Sequence, residues 1–212
     1  MTLVALYVLA LTDEDLGTWK AGGHTLHSID LGLLYAVYER RRTVPVLTDD
    51  ALREQHRLVV EIARRAPATL PVRFGALIDR EVLADKVRTH EAELRTAIDE
   101  VRDRVQMTVR VTGQPARAAA VPAASGREYL EARRKLASPI LPDAAAGLLA
   151  ALRPLVTRER QEPGAGGLLA TIYHLVDRQQ GPRYTRIAAE GATPNVIVTG
   201  PWPPFAFTPE LW

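Results

Sequence analysis

His24 and His27, three residues apart, are the nearest approach in this chain to a metal-ligand pair. On a helix that spacing would set two imidazoles on one face, an arrangement suited to zinc, but the pair sits in a glycine-containing stretch with no third ligand at useful spacing. An ordinary surface pair is the expectation. His90-Glu91 begins like a zinc-protease helix, yet position 94 is Leu where the second histidine would stand. Only three serines occur, Ser28, Ser125 and Ser138; none lies in a Gly-x-Ser-x-Gly elbow, and no cysteine nucleophile exists. Gly164-Ala165-Gly166-Gly167 lacks both a following Lys-Ser/Thr pair and the Gly-x-Gly-x-x-Gly register, so it reads as a flexible turn rather than a phosphate cradle. His56, His90 and His174 lie on apolar stripes, where histidines are usually satisfied core or boundary groups. No catalytic, cofactor or metal site is expected, and the chain reads as a non-enzyme.

The charged groups give the same picture. Asp13-Glu14-Asp15 reads as a solvated loop or helix cap. Arg40-Arg41-Arg42 and Arg133-Arg134-Lys135 are short basic runs of the kind that end elements in solvent. Arg73 stands out: flanked by Val72 and Phe74 on a strand-like run, its guanidinium falls on the opposite face, within reach of a carboxylate from a covering helix or of a partner.

What must be positioned instead is the C-terminal segment, where Trp202, Phe205, Phe207 and Trp212 gather four of the chain's six Trp and Phe residues. At roughly 150–250 Å² each, these rings offer several hundred Å² of apolar surface that needs cover. Pro201, Pro203 and Pro204 remove backbone donors and favour an extended path, leaving rings and carbonyls as the contact surface. Two outcomes are open: the hook packs over the N-terminal half and locks two domains together, or it forms an aromatic site for a small apolar protein subunit.

With 212 residues the chain can bury roughly 70% of its unfolded surface, enough for one large domain or two small ones. Its 47% hydrophobic and 25% charged content is that of an ordinary soluble globular protein. The 27 basic and 25 acidic side chains are interleaved, which makes no electrostatic case for nucleic acid. Absence of cysteine fits a reducing cytoplasm. The apolar opening is about ten residues long and runs into Asp13, too short to span a membrane and without a positive leader.

Leu3 to Leu11 reads as a central strand covered on both faces. Residues 13 to 28 read as loop and Ile29 to Tyr38 as strand or helix. A helix with Asp49 or Asp50 as its N-cap carries Leu52, His56, Val59, Ala63 and Ala66 inward and stops at Pro67. Leu70, Val72 and Phe74 alternate as a half-covered strand beginning near Pro71. From Asp79 to Arg104, Leu83, Val87, His90, Leu94, Ala97 and Val101 form the seam of one long amphipathic helix, and Gln106 to Val111 is a strand. The order ββαβαβ is ferredoxin-like in outline. Residues 113–125 are the expected linker between an N-terminal α+β domain, 1–112, and a C-terminal α+β domain, 126–212, ending in the aromatic and proline tail. The latter is expected to hold helices at 125–138 and 143–160, a strand from Leu168 to Val176, a short helix from Tyr184 and a last strand from Asn195 to Thr199.

Three motifs carry a resemblance. Thr199-Gly200-Pro201-Trp202-Pro203-Pro204-Phe205-Ala206-Phe207 is similar to the C-terminal signature of the gas vesicle GvpF/GvpL family, with Phe205 where Tyr is usual. Leu70-Pro71-Val72-Arg73-Phe74-Gly75 resembles that family's Leu-Pro-x-Arg-Phe-Gly segment, and Tyr129-Leu130 with Arg133-Arg134 its Tyr-Leu-x-x-Arg-Arg helix. The resemblance implies a two-domain α+β protein, at least one domain ferredoxin-like, that takes part in forming a gas-filled protein shell for buoyancy. It implies a minor shell component or accessory factor, at the gas vesicle or in the cytoplasm. Its partners would be the hydrophobic major shell protein and other gas vesicle accessory proteins, without nucleic acid, membrane or cofactor. Pro71, Arg73, Phe74, Gly75, Tyr129, Arg133, Arg134 and Gly200 through Phe205 with Phe207 become the motif positions that are structural or partner-binding. The alternative is a ferredoxin-like regulatory module binding a small ligand between its sheet and glycine-rich loops.

Overall fold

The computed structural model describes residues 5–113 and 142–210. It is a mixed α+β protein with two sheets and, among the described residues, five α-helices. The described chain divides into two compact units, the first drawn from Met1–Gln106 and Trp202–Trp212, the second from Met107–Pro201. The division thus falls at Gln106 and at Pro201. The expected linker and the expected helix at 125–138 lie outside the described residues, apart from Gly113.

In the first unit, β1 (Leu6–Thr12) is buried at every position, as an uninterrupted apolar run demands of a strand covered on both faces. It lies between β4 (Tyr35–Arg40) and β5 (Thr69–Pro71), with Ala10 opposite both Val37 and Pro71. The sheet runs β2-β3-β4-β1-β5, and β6 (Leu77–Ile78) also pairs with β1. The first departure from expectation lies in the stretch 13 to 28, which is loop only as far as Gly17: β2 (Thr18–Ala21) and β3 (His24–Asp30) form an antiparallel hairpin. Gly22 and Gly23 sit at φ +54° and +86°, the doubly positive turn whose twist suits a two-residue hairpin. The stretch 29 to 38 is likewise two strand ends around a turn, not one strand.

The helix α1 (Asp49–Arg65) is capped by Thr48, whose side chain accepts the Ala51 N–H at 3.2 Å, and it ends ahead of Pro67. Its buried row is Gln55, Leu58, Val59 and Ile62, at i, i+3, i+4 and i+7. Of the expected stripe only Val59 and Ala66 are buried, and Leu52 is exposed. Leu58, Val59 and Ile62 pack with Tyr7, Leu9, Leu26 and Val37 in one core cluster, each fully buried side chain contributing about 1.5–3 kcal/mol. The single long helix expected at 79–104 is two, α2 (Arg80–Thr89) and α3 (Glu91–Val101). His90 breaks the run at φ −106°, ψ 22°, while Leu83, Val87, Leu94, Ala97 and Val101 are buried as the seam predicts. The strand expected to alternate from Leu70 is short and buried throughout Thr69–Pro71, so it is covered on both faces.

The second unit follows the order β7 (Arg104–Thr112), α4 (Asp143–Leu152), β8 (Val156–Pro163), β9 (Leu168–Asp177), α5 (Gly181–Glu190), β10 (Val196–Trp202). Its sheet runs β10-β7-β9-β8. The ββαβαβ order expected of the first half therefore does not occur, because the strand meant to close it joins this second sheet. Met107, Val109 and Val111 of β7 find their core here, against Ala145, Leu148, Leu152, Ile172 and Tyr184. The helix expected to reach Arg160 stops at Leu152. Pro154 lies in a 3-10 turn, and the segment after it pairs antiparallel with β9 from Val156–Val176 to Pro163–Ala170. Gly164 to Gly167 is the turn of that hairpin; a Cβ on Gly164 would stand 2.0 Å from the Leu168 carbonyl oxygen, so only glycine fits.

Candidate functional site

The C-terminal segment closes on its own first unit. Pro203, Pro204 and Phe207 are buried, and residues Phe205–Phe207 form a 3-10 turn beside β5. Phe205 N–H donates to the Pro203 carbonyl at 2.8 Å and Phe207 N–H to that of Pro204 at 3.0 Å. Ala206 N–H donates to Gln106 Oε1 at 2.7 Å. These bonds absorb the donors that the prolines leave, so the expected extended hook is a short helical turn instead. Upstream, Gly200 adopts φ +130°, a conformation that L side chains rarely take, and Pro201 is exposed.

His56 of α1 meets both remaining rings. Trp202 approaches it edge-on, with centroids 5.2 Å apart, and Phe205 stacks on it at 5.6 Å and 20°. Phe205 nevertheless keeps 39% of its surface exposed and Leu52, one helical turn before His56, keeps 43%. Leu52, Arg53 and His56 line an open groove of about 630 Å³. A second groove, of about 660 Å³, runs along α1 between Lys20, Gly22, Glu54, Arg57 and Trp202. Val46 and Leu47, which lead into α1, are 80% and 68% exposed. Histidine as a ring platform was not legible in the sequence, where His56 fell on the presumed core stripe.

The second motif is held by a buried polar chain. Tyr7 O–H donates to Gln55 Oε1 at 2.5 Å, Gln55 Nε2 donates to the Val72 carbonyl at 3.0 Å, and Gly75 N–H donates to the Tyr7 hydroxyl at 3.3 Å. Burial pushes the Tyr7 phenol above its ordinary range, with the Gly75 N–H and Arg41 pulling the other way. Arg41 lies over the Tyr7 ring at 5.0 Å, so the basic run 40 to 42 is not merely a solvated end. Phe74 packs edge-on against Tyr7 at 6.3 Å, and Gly75 turns at φ +93°. Pro71 is buried in β5. Arg73 points to solvent and pairs at 2.5 Å with Glu210, a carboxylate from the C-terminal segment rather than from a covering helix. Tyr129, Arg133 and Arg134 lie outside the described residues.

The histidines considered as ligands are separated. His24 and His27 sit on a strand, not a helix, so a spacing of three puts them on opposite faces. His24 Nδ1 is 3.0 Å from Glu39 Oε1 and its Nε2 3.0 Å from Glu54 Oε1; His27 Nδ1 meets Thr18 Oγ1 at 3.1 Å. No group of three or more His, Asp or Glu side chains able to hold a metal occurs among the described residues. Asp13 is not solvated: it accepts the Ala68 N–H at 3.1 Å and pairs with Arg102.

In the second unit His174 is buried, and its Nδ1 lies 2.7 Å from the Tyr184 hydroxyl and its Nε2 3.1 Å from Glu159 Oε2. Burial lowers its pKa, opposed by Glu159, while burial raises that of Tyr184. A neutral Nε2–H imidazole donating to Glu159 and accepting from Tyr184 satisfies all three groups. Here the expectation of a satisfied core histidine holds.

Fold and site together define a two-unit mixed α+β protein whose C-terminal aromatics close on the first helix. Two solved structures share that fold. The gas vesicle protein GvpF from Anabaena sp. PCC7120 matches with a TM-score of 0.72 at 11% identity, over 98% of this chain and 99% of that one. GvpF from Microcystis aeruginosa matches with a TM-score of 0.73 at 12% identity, over 96% and 98%. No curated protein matches the sequence. The family described as gas vesicle synthesis protein GvpL/GvpF matches residues 5–209, and the chain belongs to it. No helix among the described residues is long and apolar enough to cross a membrane.

Proposed function

We propose that the protein is a non-enzymatic gas vesicle assembly factor, an accessory protein or minor shell component, that binds the hydrophobic major shell protein at the gas vesicle or in the cytoplasm. The observation that carries the reading is the apolar face at the start of α1. Phe205 is stacked on His56 yet open to solvent, and Leu52, Val46 and Leu47 are exposed on the same unit. Contiguous exposed apolar side chains mark interaction surfaces, and a subunit destined for a water-excluding wall must hide apolar surface before assembly. The second unit, with its β-α-β-β-α-β succession and sheet order β10-β7-β9-β8, is then the ferredoxin-like domain. On this reading the motif residues Pro71, Phe74, Gly75, Pro203, Pro204 and Phe207, buried or half-buried, hold the face in place, and Trp202 and Phe205 belong to it.

Co-expression with the major shell protein tests this. The soluble fraction of the shell protein should rise with the wild-type chain and fall back with Leu52→Asp, whose own unfolding midpoint stays near wild type, and with Phe205→Asp, which stays folded. An unchanged soluble fraction with the wild-type chain would sink the proposal.

A further inference from the structure

Among the described residues the first sheet ends in an open edge at β2. Ser28 N–H donates to the Gly17 carbonyl at 2.8 Å, in register with the pairs Thr18–His27 through Ala21–His24. Hydrogen-bonded pairs alternate in an antiparallel ladder, so Trp19–Leu26 and Ala21–His24 are also bonded pairs, the latter closing the Gly22-Gly23 turn. Thr18 and Lys20 must then present their backbone N–H and C=O away from β3. Among the described residues no strand lies on that side, because β2 terminates the sheet. Beside this edge runs the groove of about 660 Å³, bounded by Lys20, Ala21 and Gly22 on one side and by Glu54, Arg57 and Trp202 on the other.

We infer that this edge and groove take an extended acidic segment of another protein as an added strand. The backbone favours an extended occupant, since outward N–H and C=O groups at strand spacing are a template for an added strand, which replaces the water that otherwise satisfies them. Charge dictates an acidic one. Around the groove Glu54 pairs with Arg57 and with His24, and Glu61 with Arg64. Lys20 has no ion-pair partner among the described residues. A short edge strand carrying Lys also resists pairing with its own kind, which leaves an acidic partner favoured over a second copy. The groove shares Trp202 with the proposed shell-protein face, but the inference calls for main-chain recognition of a polar strand.

The test uses the whole chain and a fluorescein-labelled nine-residue peptide that alternates valine with threonine and carries one central aspartate. Two further versions are N-methylated at alternate amides, one set in each. Methylating the set that faces β2 should weaken binding by about tenfold or more, whereas the other set should leave it unchanged; this comparison requires no protein variant. Lys20→Pro, which removes an outward donor but none of the β3 ladder, should lower affinity by a similar factor. Lys20→Glu should shift preference to the peptide with lysine in place of aspartate. Equal loss from both methylated sets, or no binding at about millimolar peptide, would overturn the inference. So would a dimer of the chain alone, seen by sedimentation and lost in Lys20→Pro, which would put a second copy on the edge.

Discussion

Tyr7 of the first strand and Gln55 of the first helix are joined by a buried hydrogen bond of 2.5 Å, and neither residue is replaceable by an apolar one without stranding a third group. The Gln55 amide donates onward to the Val72 carbonyl, and the Tyr7 hydroxyl accepts from Gly75. One bond therefore ties strand, helix and the Leu70 to Gly75 motif together. These bonds hold the Leu70 to Gly75 motif, while Arg73 points to solvent.

Tyr7→Phe keeps the ring and removes the hydroxyl, leaving Gln55 Oε1 and the Gly75 N–H without their partner. A buried polar group so stranded costs about 1–3 kcal/mol. Urea unfolding should show a lower midpoint of that size. Tyr7→Phe combined with Gln55→Leu should cost less than the sum of the two single changes, because the pair is removed together.

The two tail phenylalanines separate structure from recognition. Phe207 is buried, so Phe207→Ala should destabilise by about 3–5 kcal/mol. Phe205 is 39% exposed on one side of His56, so Phe205→Ala should cost clearly less, on the order of 1 kcal/mol. Phe205→Tyr, which restores the residue usual at this motif position, should leave the thermal midpoint within a degree or two of wild type, since its hydroxyl has water to reach. Differential scanning calorimetry of the three variants checks the ranking.

Strong one-dimensional signals in the sequence survived into the fold. The run Leu6 to Leu11 is the central strand, and the Thr48 to Pro67 stretch is a helix with the expected stop. The aromatics near the C-terminus are partly covered, Phe207 wholly and Phe205 only on one side. What failed did so where two signals competed. Gly17, Gly22 and Gly23 suggested loop, although Trp19 with Ala21 and Leu26 with Ser28 already alternated as a hairpin around the glycine pair. The heptad seam ran correctly through Leu83 to Val101 but could not reveal that His90 interrupts the helix. Gln55 is polar and so gives no apolar signal, yet it stands three, four and seven residues before Leu58, Val59 and Ile62, which is the spacing of a buried row. Arg73 and Glu210 are 137 residues apart in sequence, and no local pattern connects them.

That exposed pair should contribute little. Arg73 and Glu210 are both more than 60% exposed, and ion pairs of this kind are worth about 0–1 kcal/mol. Glu210→Gln should therefore leave the unfolding midpoint almost unchanged, and raising salt to about 1 M should erase what difference remains. A large loss in urea titration would mean that the C-terminal segment is anchored through this pair rather than through Phe207.

His174 sets a pH dependence whose sign follows from its burial. Its pKa in the folded chain lies below the ordinary 6.5, because charging the imidazole would strand a cation among buried groups. Between the folded and unfolded values the unfolded chain binds a proton that the folded chain does not, so stability rises with pH there. The contribution is fully present above about pH 6.5 and is lost as pH falls through the folded value. Tyr184 acts at the other end: its raised pKa keeps stability intact below about pH 10 and removes it as pH climbs toward the folded value. Thermal midpoints from pH 5 to pH 8 should therefore climb and then level. His174→Gln, which keeps a donor and an acceptor but cannot take a proton, should flatten the acid limb; a variant whose midpoint still falls as steeply as wild type would place the acid sensitivity in some other group.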